Sequence, residues 1–226
     1  PQLKLPKEKE INFFDIYYKE GKSWYKSQFP FDLSNDKVTG DFTPYYLYHP
    51  LSSKRAVSFN PDFKIIILLR NPVNRAISHY NMIKNRYSFD PFYERLTYFK
   101  QEILAQEAIE KKLLKYRFTY SEIHRHCSYL RRGIYLYQIK HWQQYFPKEN
   151  FLIIKSEEFY NNPQKVLNKI CDHLGINHFY NYDLNVNRFK GDYKEEINPE
   201  IVKKLKEFYE PYNIELENYL NMKFNW

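Results

Sequence analysis

Lys64–Tyr80 reads KIIILLRNPVNRAISHY, and the meaning of this stretch decides the fold. Aliphatic residues run from Ile65 to Leu69, Arg70 ends the run, and Pro72 follows. Such a run reads as a buried parallel strand that delivers Arg70 to a strand-to-helix turn. Pro72 suits the first turn of a helix, where its missing N–H has no partner to lose. Arg70 is therefore expected at the carboxyl end of a strand, where open α/β sheets bind ligands. Ser78 follows eight residues later, just over two helical turns on. A guanidinium at the strand end and a hydroxyl on the next helix can hold one phosphate from two sides.

Outward from this unit, strands and helices alternate. Strands are expected at 37–42 and 150–155, and a short strand or extended segment at 10–14. Helices are expected at 21–28, 72–86, 91–116, 131–145, 162–174, 199–209 and 212–220. The helix at 162–174 ends on Gly175, as a C-cap glycine would. Residues 184–193 are irregular and basic, a candidate hairpin. The alternation indicates one three-layer α/β domain over residues 1–226, with a central parallel sheet flanked by helices.

The 226 residues suffice for one domain with a large core. A net charge of +8 favours anionic partners, though the charge is spread along the chain and equally describes a lysine-rich surface. Nucleic-acid binding rests on that charge alone and lacks a motif, so it is not expected. No apolar run approaches the ~18 residues of a membrane span. Cys127 and Cys171 do not make a disulfide scaffold. The absence of an Asn-x-Ser/Thr sequon argues mildly against a eukaryotic secretory protein. Two motifs are decoys. Gly21-Lys22-Ser23 resembles the end of a phosphate-binding loop, but Ile16 stands where the first glycine belongs. His124, His126 and Cys127 are too tightly spaced for a zinc site and lack a second pair, so no metal is expected.

Six segments stand out in order: KEINFFD (9–15), GKSWYKSQFP (21–30), GDFTPYYL (40–47), LLRNPVNRAISHY (68–80), RRGIYLYQIKHWQQYFP (131–147) and KLKEFYEPYNIELENYLNMKFNW (204–226). Together they resemble the sulfotransferases that use 3′-phosphoadenosine 5′-phosphosulfate, most of all the heparan sulfate type and its bacterial relatives. The resemblance implies a sulfotransferase fold and transfer of a sulfuryl group to a hydroxyl or amine of a glycan, lipid or small metabolite. It implies Glu10 as catalytic base with Lys9 as its basic neighbour, and Arg70 and Ser78 on the 3′-phosphate of the donor. Arg75, on the same helix, is expected at the surface. Lys190 and Gly191 match a Lys-Gly loop around the donor, although Phe189 and Asp192 depart from the family's Ser and Arg. A plain surface hairpin is the other reading. Tyr135 matches a Gly-x-Tyr helix start beside the cleft and faces the donor or acceptor, or else the core.

Asp41 and Thr43 match an acceptor-side Glu-Lys-(Ser/Thr)-Pro segment, as substrate contacts or as turn caps. Phe42 replaces the Lys of glycosaminoglycan-modifying members, which fits a less charged acceptor. The resemblance also implies an upstream loop that cradles the 5′-phosphosulfate on backbone N–H groups. Residues 1–8 carry no glycine, and the chain begins at Pro1. The expectation is a sulfotransferase domain truncated at its N-terminus, binding its donor weakly and with little or no activity as it stands. The competing reading is a non-catalytic module of the same fold that binds anionic ligands. The expected compartment is the bacterial cytoplasm, or the Golgi lumen for a eukaryotic chain.

Overall fold

The computed structural model of the chain describes residues 2–31, 37–86, 99–116, 121–180 and 198–226. In chain order its elements are β1 (Leu3–Lys4), α1 (Gly21–Ser27), β2 (Val38–Thr39), α2 (Ser52–Phe59), β3 (Ile65–Leu69), α3 (Pro72–Arg86), α4 (Phe99–Tyr116), α5 (Glu122–His126), α6 (Tyr135–Trp142), β4 (Phe151–Lys155), α7 (Ser156–Asn161), α8 (Pro163–Leu174) and α9 (Pro199–Leu220). Parallel strands and many helices make an α/β fold. The chain packs as two compact units, Pro1–Leu69 with His141–Val186, and Arg70–Lys140 with Asn187–Trp226.

The first unit has two parallel ladders. β1 pairs with β2, and β3 pairs with β4 in the register Ile65↔Phe151 to Leu69↔Lys155. Its core is aromatic: Phe13, Phe14, Tyr25, Phe29, Tyr46, Trp142 and Phe146 pack around Ile11 and Ala56. Phe13 stacks on Tyr25 at 4.4 Å between ring centroids, and Phe14 meets Tyr46 edge-on at 5.3 Å. Such offset and edge-on pairs let the positive ring edge meet the negative face. The indole N–H of Trp142 donates to the carbonyls of Tyr46 and Leu47, both at 3.3 Å. A large apolar ring is thereby buried with its one polar group satisfied.

The second unit is built on α3. Val73, Ala76, Tyr80 and Ile83 recur at three- and four-residue steps and form its buried stripe. Leu205 and Tyr209 of α9 pack with that stripe, together with Tyr129, Leu130 and Ile134. Each large aliphatic side chain buried in this way contributes about 1.5–3 kcal/mol. Glu102 of α4 accepts hydrogen bonds from the backbone N–H groups of Leu130 (2.6 Å) and Arg131 (3.3 Å). These two donors open a 3-10 turn, Arg131–Gly133, and would otherwise be orphaned in the core.

Several expectations are corrected. Residues 10–14 are not a strand: Glu10 and Asn12 take left-handed φ values of 59° and 55°, and the chain turns. β3 is buried on one face only, with Ile67 and Leu69 inside but Ile66 39% and Leu68 55% exposed. Side chains alternate across a strand, so a covered face gives this pattern. The expected helix 131–145 is a 3-10 turn followed by α6, broken at Ile134, whose ψ of 78° is not helical. The two expected C-terminal helices are one, α9, which runs through Pro211. Proline removes one intrahelical bond, and packing of Leu205, Tyr209 and Leu216 outweighs that loss. The helices α2 and α7 were not expected at all. Residues 91–98 of the expected long helix, and the candidate hairpin with Lys190 and Gly191, lie outside the described residues.

Candidate functional site

Arg70 follows β3 directly and is exposed. Its backbone carbonyl accepts a 2.7 Å hydrogen bond from the Tyr135 hydroxyl at the start of α6. Tyr135 is itself buried, so it holds the Arg70 main chain from within the second unit, to which both residues belong. Asn71 then caps α3: its Oδ1 accepts from the N–H groups of Val73 (3.0 Å) and Asn74 (3.2 Å). Asn is a strong N-cap residue, and Pro72 takes the first helical position. The Asn-Pro pair carried this signal, which the sequence reading used only for the proline. Ser78 is half-buried in the second turn of the helix.

Arg75 is not a surface residue. It is half-buried, and its guanidinium donates to the carbonyl of Tyr129. His79, beside Ser78, is buried edge-on against Tyr129 at 4.9 Å. Burial first, then the charges of Arg132, Arg75 and His126, hold its imidazole well below the usual histidine range. It is therefore neutral at pH 7. The decoy cluster resolves into ordinary pairs. His124 is buried with Nε2 3.5 Å from Glu110 Oε1, and His126 lies 3.3 Å from Glu122 one helical turn away.

In the first unit, Lys9 and Glu10 are exposed. The turn that follows them is tied down from both sides. Arg55 donates to the carbonyls of Phe14 (2.8 Å) and Asp15 (3.0 Å). On the other side stands Asp41, whose carboxylate accepts from Tyr46 Oη (2.6 Å), Thr43 Oγ1 (2.7 Å) and Tyr25 Oη (3.3 Å). The Ile11 N–H bonds the same carboxylate. Burial raises the Asp41 carboxyl above the usual carboxylate range, against the lowering effect of these four donors. Burial and the Asp41 charge together push the Tyr25 and Tyr46 phenols far up, so both stay protonated donors. Tyr25 and Tyr46 escaped sequence reading. For Tyr46 the one signal was the aromatic pair just past Thr43-Pro44.

Arg70 and Tyr135 thus meet in the second unit, and Asp41 and Thr43 meet the backbone that follows Glu10 in the first. These observations join what is known of other proteins. Residues 24–185 match the sulfotransferase domain family, and the chain belongs to it. Arg70, Ser78, Asp41, Thr43 and Tyr135 fall inside the matched span. The chain is homologous to sulfotransferases that use 3′-phosphoadenosine 5′-phosphosulfate. It is 28% identical to human heparan sulfate glucosamine 3-O-sulfotransferase 3B1 over 239 residues, covering 96% of this chain and 57% of that protein. It is 25% identical to the membrane-associated sulfotransferase kil1 of Dictyostelium discoideum, covering all of this chain and 61% of that protein. The chain therefore spans less than two thirds of these relatives. In fold it matches the crystal structure of a sulfotransferase from Alicyclobacillus acidocaldarius, with a TM-score of 0.74 at 24% identity, over 99% of this chain and 87% of that one. No helix among the described residues is long and apolar enough to cross a membrane.

Proposed function

We propose that this protein transfers a sulfuryl group from 3′-phosphoadenosine 5′-phosphosulfate to a hydroxyl or amine of its acceptor. The acceptor oxygen or nitrogen attacks sulfur in line, and the bond from sulfur to the 5′-phosphate oxygen breaks. Glu10 takes the acceptor proton, and 3′-phosphoadenosine 5′-phosphate leaves. Such transfers pass through a loose transition state, so positioning and charge stabilisation do most of the work. A carboxylate within hydrogen-bond reach of the acceptor removes its proton as the new bond forms. Lys9 supplies a neighbouring positive charge. Arg70 and Ser78 hold the 3′-phosphate, the guanidinium by paired charge-assisted bonds and the hydroxyl by one more. Lys190 and Gly191 belong to the donor loop in this reading.

The observation that carries the proposal is the exposed Arg70 at the carboxyl end of β3, its main chain pinned by Tyr135, in a chain of this family. The relatives named for heparan sulfate glucosamine support a sugar hydroxyl as acceptor. Phe42 is 48% exposed where those enzymes' resemblance would place Lys, which supports a weakly charged glycan, lipid or small metabolite. Calorimetry with 3′-phosphoadenosine 5′-phosphate on the wild type and Arg70→Ala tests the donor site. Binding by the first and its loss in the second are expected; equal binding by both would remove Arg70 from the site. Radiolabelled sulfuryl transfer then tests Glu10→Gln, expected to keep donor binding and lose ~100-fold or more in turnover. A wild type that binds the nucleotide and transfers nothing to any hydroxyl would leave the binding-module reading in its place.

A further inference from the structure

Four successive backbone N–H groups follow Glu10, and all four reach one buried cluster. Ile11 N–H bonds the Asp41 carboxylate directly. Asn12 N–H donates to Thr43 Oγ1 at 3.3 Å. Phe13 N–H and Phe14 N–H donate to Tyr46 Oη at 2.7 and 3.3 Å. Tyr46 and Thr43 in turn donate their own protons to Asp41, at 2.6 Å to Oδ2 and 2.7 Å to Oδ1. A hydroxyl has one proton and two lone pairs. With its proton committed to Asp41, each hydroxyl presents lone pairs to the main chain. An ionised carboxylate only accepts, so Asp41 sets the direction of every bond in the cluster.

The segment so held is unusual. Glu10 and Asn12 both sit at left-handed φ, which non-glycine residues adopt when the surroundings over-determine them. The Asn12 side chain donates to the Glu10 carbonyl, closing the turn locally. Ile11, Phe13 and Phe14 are buried in the aromatic core, and Phe13 stacks on Tyr25, which also donates to Asp41. Glu10 alone of this group stands exposed. An exposed carboxylate therefore projects from a turn whose next four residues are fixed.

We propose that Asp41 is a positioning residue. Directly and through Thr43 and Tyr46 it holds the main chain of residues 11–14, and so fixes where the Glu10 carboxylate points. Asp41 and Thr43 then serve the acceptor through the turn they hold, not by touching it. The catalytic half of this inference rests on Glu10 being the base; the structural half does not.

Two readouts test it: hydrogen exchange on the chain as described, and turnover on a chain that also carries the upstream phosphosulfate loop. Hydrogen exchange is followed at the amides of residues 11–14 and of β3 and β4 in the wild type, Asp41→Asn, Tyr46→Phe and Thr43→Val. Asn replaces one accepting oxygen with a donor, so at least one arm must turn around. Exchange at 11–14 is expected to rise about tenfold or more in Asp41→Asn, with β3 and β4 protected as before. Unchanged exchange at 11–14 in all three variants overturns the proposal. Should Asp41→Asn fail to fold, Tyr46→Phe removes a single hydroxyl and carries the comparison. In turnover, Asp41→Asn is expected to lower kcat about tenfold or more at unchanged acceptor KM and nucleotide affinity. In a Glu10→Gln background the same change is expected to have no further effect. A raised KM at unchanged kcat overturns the proposal in favour of direct acceptor contact. A wild type without any transfer sinks the Glu10 base reading, and the exchange comparison still decides whether Asp41 holds the turn.

Discussion

Tyr135 holds Arg70 by its carbonyl, so a single hydroxyl fixes the main chain at that residue. Tyr135→Phe removes that bond and little else. It is expected to cost about 1 kcal/mol in stability and to weaken nucleotide binding less than Arg70→Ala does; denaturant titration and calorimetry check both. His79 gives a second prediction at this scale. Its imidazole is neutral in the folded state because burial and three nearby cations disfavour the charged form. The unfolded chain binds this proton near the ordinary pKa of about 6.5, while the folded chain does not. Stability is thus full above that pH and declines as pH falls below it. His79→Phe is expected to reduce the slope of stability between about pH 6.5 and 5. A wild-type imidazole that titrates normally by NMR would contradict this. Of the residues discussed, the places of Arg70 after a strand and of Ser78 on a helix were legible because both follow from adjacent residues. Tyr46 was not, since its role depends on Phe13, 33 positions away.

At the scale of elements, the 3-10 turn Arg131–Gly133 is wedged between α4 and α9. Gly133 is the residue that admits Tyr209. A Cβ there would lie 2.6 Å from the Tyr209 hydroxyl and 2.7 and 2.8 Å from two ring atoms. Tyr209 is fully buried, with its hydroxyl 2.8 Å from the carbonyl of Leu130, and has nowhere to retreat. Gly133→Ala is expected to destabilise by about 1–3 kcal/mol, measured by denaturant midpoint. On the other side, Arg131 reaches Glu110 at 2.7 and 3.0 Å and Glu107 at 3.0 Å. Burial raises the Glu110 carboxyl, but the bonds from His124 and Arg131 outweigh it and bring it down to about 2. Arg131 has the larger hold, with two short contacts against the 3.5 Å of His124. A depressed carboxylate contributes stability above its unfolded pKa of 4.5 and loses it as pH falls toward 2. Glu110→Gln is expected to lower stability at pH 7 and to flatten this acid limb in pH-dependent melting. Helices α3 and α8 were legible as elements because their start and stop signals are local: Pro72 for one, Pro163 and Gly175 for the other. The single helix α9 was not, because Pro211 reads as a break until its buried neighbours are known.

At the scale of the molecule, ligand binding and folding are linked. A nucleotide that binds only the folded chain raises its stability by about 2.7 kcal/mol at one hundred times its Kd. A rise in melting temperature with 3′-phosphoadenosine 5′-phosphate, lost in Arg70→Ala, is the expected result. The α/β class, the β3–α3 unit with Arg70 at its junction, and the family were already determined by the amino-acid order. Each rests on short-range facts: an aliphatic run, a proline at a helix start, and motifs in sequence. Tertiary structure alone decided that residues 10–14 turn with Glu10 and Asn12 left-handed, that Asp41 faces inward, and that Arg75 is drawn onto Tyr129. Those outcomes depend on hydrogen bonds between residues some 30 or more apart, for example Asn12 to Thr43 and Phe13 to Tyr46. A buried hydroxyl or carboxylate acts on whatever main chain packing brings within 3 Å of it, and local sequence does not record that neighbour.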